Sequence, residues 1–195
     1  MSFFAMPAWQ PPSGYRIPSW LRPPDGMVPG IVPVELLLGR TDTHALLITD
    51  LRAYPTGVDF ALTARRHPGQ PHQRRDPRRP HRFAYHDLRL ELRFADGRNP
   101  STDSRRWPRT FETEEPDPPF LYCHGAGGSE RGWRSRHWLW GLPPPGPLAF
   151  VCQWPPGRIP RLDVEVEIDA GLVLEAAGRA ASVWPAMEPD EDSER

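Results

Sequence analysis

The densest chemistry-bearing cluster in the chain is indole: Trp133, Trp138, Trp140 and Trp154 lie close together in sequence. Side chains alternate along a strand, so Trp138 and Trp140 share one face and His137 and Leu139 the other. An exposed indole row is a platform for a sugar, a base or a proline-rich peptide. A buried row is core, the usual place of such side chains. The candidate binding residues are Trp133, His137, Trp138 and Trp140, beside the glycine run Gly125–Gly128.

A second candidate is electrostatic. Residues 65–82 hold seven Arg, including Arg74, Arg75, Arg78 and Arg79, with three His and one Asp. Guanidinium forks suit phosphates and carboxylates, and clustered cations gain from counterion release. A nucleic acid or an acidic protein is the partner this loop would take. Against it, no aromatic interleaves the arginines and no nucleic-acid-binding motif presents them. Acidic stretches at 112–117 and 188–194 offer internal counter-charge.

Bond-making machinery is harder to find. The glycine run lacks the phosphate-loop pattern, and the chain has no Lys at all. G-x-S-x-G is absent. No C-x-x-C or H-x-x-x-H pair offers convergent zinc ligands, and Cys123 and His124 fall on opposite strand faces. Neither a metal nor a cofactor is implied, and no catalytic residue is assigned. An enzyme of unknown type stays open on one condition: His124 or His137 in a pocket, with a carboxylate within hydrogen-bond reach.

The elements that must position these residues read as β. Strands are expected at 32–38, 45–54, 58–65, 85–95, 120–123, 136–142, 148–154 and 162–168. Within 58–65, Val58, Phe60, Leu62 and Ala64 face one way and Asp59, Ala61, Thr63 and Arg65 the other, which predicts one buried and one wet face. HGAGGSERG reads as a loop between two strands, and polar loops fill 66–82 and 98–118. Asp163, Glu165 and Glu167 form a wet stripe that would pair with Arg89–Arg93 if those strands are neighbours. Asp169 can cap a helix running to about Trp184, with Val173, Ala177, Ala180 and Trp184 on its buried face. Hairpin-like connections predict an all-β fold: a β-sandwich or partly open barrel of about eight mostly antiparallel strands, with one C-terminal α-helix.

Composition bounds the rest. The 195 residues make one domain, spanning 31–185, with its helix at 170–184. Residues 1–30 form a Pro- and Trp-rich extended arm, suited either to folding back on the domain or to a partner's aromatic groove. Residues 186–195 form an acidic tail expected to be disordered. The 27 Pro and 16 Gly stay below the share that marks low complexity. A net charge of −1 excludes a globally basic nucleic-acid binder. No apolar run is long enough to span a bilayer, and the start of the chain lacks a basic signal region. The reading is a cytoplasmic protein with Cys123 and Cys152 as reduced, inert thiols.

The runs WLWGLPPPGPLAFVCQWPPGRIP, LDVEVEIDAGLVLEAAGRAASVWP and VPGIVPVELLLGRTDTHALLITDLRAYPTGVDFAL resemble a family of uncharacterised proteins of GC-rich bacteria. The resemblance covers residues 28–66, 85–97 and 120–185. It implies a shared scaffold and supplies no site residues. The long Arg-rich and Glu-rich loops depart from it. The expected function is therefore a non-catalytic binding or protein-interaction module, with an unknown protein as its partner.

Overall fold

The computed structural model describes residues 17–69, 89–102, 115–129, 132–154 and 162–184. Among them the strands are β1 (Met27–Val28), β2 (Gly30–Ile31), β3 (Leu36–Arg40), β4 (His44–Tyr54), β5 (Gly57–Arg66), β6 (Arg89–Phe94), β7 (Phe120–Ser129), β8 (Gly132–Trp140), β9 (Pro147–Trp154), β10 (Leu162–Asp169) and β11 (Ala181–Ser182). Helix α1 (Ala170–Gly178) precedes β11. The fold is all-β with one C-terminal helix, as expected, and the sheets do not close into a barrel.

One sheet runs β2-β4-β5-β8-β7, with β3 also on β4; a second runs β10-β9-β6; β1 and β11 make a small ribbon. Every pairing is antiparallel. Val58, Phe60, Leu62 and Ala64 of β5 meet Leu90, Leu92 and Phe94 of β6 and Leu148, Phe150 and Cys152 of β9 in a single core. Phe60 and Phe150 cross edge to face with centroids 5.5 Å apart, joining the two sheets through the middle of that core. Burying each such side chain is worth about 1.5–3 kcal/mol, and the period-two pattern puts them all on one side.

The charged stripes of β6 and β10 are not neighbours, because β9 lies between them. They still meet: Arg93 Nη1 donates to Glu165 Oε2 at 2.9 Å, passing over the small Ala149 that stands opposite Arg93 on β9.

Three boundaries differ from expectation. Of the strand expected at 32–38 only Leu36–Leu38 is strand, as the start of β3, while Val32–Glu35 is not; Pro33 has no N–H for a ladder. The stretch expected as a glycine loop is strand: β7 continues to Ser129 and β8 begins at Gly132, in register from Gly125 onward after a shift at His124. Helix α1 is capped by Asp169, whose carboxylate accepts from the Gly171 N–H at 2.8 Å. It ends at Gly178 instead of running to 184, because Ala181–Ser182 are taken up in pairing with Met27–Val28. Trp184, expected on a buried helix face, is 71% exposed. No helix among the described residues is long and apolar enough to cross a membrane.

Candidate functional site

The four aromatic and histidine candidates do not make one surface. Trp138 faces outward from the six-stranded sheet, yet it is 0% exposed. Its Nε1–H donates to the Ser19 carbonyl at 3.0 Å, and Tyr54 packs edge-on to it at 5.7 Å. Trp20, next to Ser19, is itself buried and meets Phe120 edge to face at 5.8 Å. The platform is thus covered by the chain's own residues 19–21, and the arm folds back there. Trp140 is half-buried on the same face. Trp133 and His137 belong to the inner face, Trp133 half-buried at the rim of the core. Arg74, Arg75, Arg78 and Arg79 lie outside the described residues, as do 1–16 and 186–195.

His137 stacks on Phe60 at 5.5 Å and shares a 2.7 Å hydrogen bond between Nε2 and Ser135 Oγ. Its Nδ1 is buried without a partner. Burial, and then the proximity of His124, pushes its pKa down to about 3. The neutral imidazole is thus almost fully removed from solvent. Cys152 is buried, and its thiol is pushed up to about 12 by desolvation. Burial likewise raises Cys123. Both thiols are free, and low thiolate content makes them poor nucleophiles.

A polar network that sequence reasoning missed occupies the outer face. A register shift between Cys123 and Gly125 leaves His124 free to swing over β8. Its Nε2 lies 3.0 Å from Asp59 Oδ1 on β5. The Asp59 side chain is only 6% exposed and also pairs with Arg136 of β8, whose Nε donates to Oδ1 at 3.3 Å. A second shift on β4 puts Asp50 at φ 55, where it takes Arg134. Burial raises the Asp50 pKa, but the Thr49 hydroxyl and the Arg134 charge outweigh it and leave it below the usual carboxylate range. Desolvation lowers His124.

A histidine held by a carboxylate is the arrangement of a general base. Here Asp59 is shared with Arg136, and Asp59 and His124 line neither of the two cavities described below. The network reads as a strap that binds β7, β8, β5 and β4 together. Bulges carry no simple sequence signature, so only Asp59's outward position was visible beforehand.

Two cavities stand out. One, of about 430 Å³, lies on the outer side of β6 and β9 and is lined by Arg89, Glu91, Ser101 and Gln153 among others. The other, of about 490 Å³, is an open groove over the end of β5, β8 and β7, lined by Thr63, Arg65, Arg66, Gly127, Gly132 and Arg134 among others. Among the described residues no acidic side chain lines it.

No family model matches the chain, and no curated protein or solved structure matches it significantly.

The groove borders the free margin of the sheet. Gly125, Ala126, Gly127, Gly128 and Ser129 of β7 are all exposed, and β8 is the one strand paired with β7 among the described residues. A Cβ added at Gly125 or Gly127 would meet nothing within 4 Å, and neither has a positive φ. The fold does not need glycine at either position. Glycine in a strand costs about 0.5–1 kcal/mol relative to alanine, and it commonly marks a close approach by another backbone. The sequence showed these glycines but gave no sign that they lie on a strand edge.

Proposed function

We propose that the chain is a protein-interaction module that receives an extended segment of a partner along β7, by strand addition. The observation that carries this reading is the margin Gly125–Gly128, which among the described residues pairs with no strand other than β8. It offers a row of backbone donors and acceptors with no side chain standing over Gly125 or Gly127. Natural sheets ordinarily guard such margins with charge, proline or a covering element. An undefended one suits an incoming strand, whose main-chain hydrogen bonds supply affinity. The two free cysteines accord with the cytoplasmic setting that belongs to this proposal.

The test is a display of random nine-residue peptides on the full chain. Recovered peptides are expected to lose binding when alternate backbone amides are N-methylated, because strand addition uses those N–H groups. Peptides indifferent to N-methylation would argue against the margin. So would peptides whose footprint falls on the ribbon β1–β11, near the exposed Val28, Val183 and Trp184.

A further inference from the structure

We infer that the segment received by β7 is acidic at alternate positions, its carboxylates entering the groove beside Gly127; this rests on the strand-addition reading. In an antiparallel sheet, residues facing the same side recur every second position. Gly127 stands opposite Arg134, and Arg134 stands opposite Thr63. Thr63 and Arg65 share a strand face. All of these border the groove, and all face outward, since the core takes Leu62 and Ala64 from β5.

A strand added outside β7 places its outward side chains level with Gly125 and Gly127. Those glycines leave a path across β7 that a longer side chain would block. A glutamate reaching across Gly127 meets Arg134, which keeps 49% of its side chain exposed while paired with Asp50. Further along lies the exposed Arg65. Among the described residues three arginines and no carboxylate line the groove, so their field favours a negative side chain over a basic one.

A nucleic acid would also feel the arginines, but a peptide alone uses the bare backbone beside them.

The experiment uses the peptides recovered by display on the full chain. Glu or Asp should be enriched at every second position. Replacing those acids with Gln or Asn should weaken binding about three- to fivefold per residue, the range of an exposed ion pair. Arg65→Gln should cut affinity for the acidic peptides by a similar factor and leave their Gln versions unchanged. Gly127→Glu, which places a carboxylate of the chain's own opposite Arg134, should abolish acidic-peptide binding.

Peptides that need their N–H groups but show no acid preference would overturn the acidic inference and leave strand addition standing. Peptides insensitive to N-methylation would overturn strand addition itself. A single-stranded oligonucleotide that outcompetes the peptides and loses binding with Arg65→Gln would assign the groove to nucleic acid and overturn the inference.

Discussion

The two margins of the six-stranded sheet use glycine for opposite reasons. At the β2 margin, Gly30 lies against the helix: a Cβ there would sit 1.8 Å from the Ala176 carbonyl oxygen. Glycine is the only residue that lets that backbone approach, and α1 closes the margin. At the β7 margin, a Cβ at Gly127 would meet nothing. One glycine is explained by the fold. The other is not required by the fold, and the strand-addition proposal gives it a reason. Glycine content alone says nothing about function; the space in front of each Cα does.

The largest effect should come from the closed margin. Gly30→Ala drives a methyl into a helix carbonyl, and the expected loss is about 3 kcal/mol, the upper end of overpacking. Urea unfolding measures it. A loss below 1 kcal/mol would mean that helix and strand slide apart easily, and the contrast between margins would weaken.

Next comes the strap that holds the open margin. Asp59→Asn removes the charge that holds both Arg136 and His124. The expected cost is about 2 kcal/mol, below that of a fully buried pair because both partners keep about a quarter of their side chains in water. Amide exchange should speed up along β7 and β8 while β2 keeps its protection. Equal loosening of both margins would show that the strap acts on the whole sheet.

Beneath that margin, His137 makes stability depend on pH. The folded state holds it neutral down to about pH 3, whereas the unfolded chain takes up the proton near 6.5. The unfolded state therefore binds more protons between those values. Stability should fall as pH drops through the window, by about 1.4 kcal/mol per pH unit at the steepest. His137→Gln should flatten that slope, and an unchanged slope would move the acid sensitivity to other groups.

The smallest effect is the most telling for the comparison. Gly127→Ala should leave stability unchanged or raise it by about 0.5–1 kcal/mol, the opposite sign to Gly30→Ala. A clear loss would mean that the fold itself needs the bare position.

How much of this could be read in advance follows from what each element depends on. β4, β6 and β10 were legible because polarity alternates along them; on β5 the inward row was legible, but the face expected to be wet is not, since Asp59 and Ala61 are buried as well. The Asp169 cap was legible because it is local. The second half of β7 was not, since Gly-Ala-Gly-Gly has no polarity to alternate; its pairing with β8 comes from the tertiary frame. Trp138 was correctly placed on a face with Trp140. Its burial depends on residues 19–21, more than a hundred positions away, and no local pattern reports such a contact. The Asp59–His124–Arg136 strap depends on two bulges, which shift register without changing composition. The end of α1 was missed because the alanines after Gly178 favour helix, while the ribbon with Met27–Val28 claims their backbone.

The central claim is that the β7 margin accepts a strand, and backbone amide hydrogen exchange tests it most directly. With an acidic peptide from the display bound to the full chain, the amides of residues 125–129 that face away from β8 should slow by at least tenfold, while β2 stays as it was. Unchanged exchange across 125–129, with new protection elsewhere, would contradict the account.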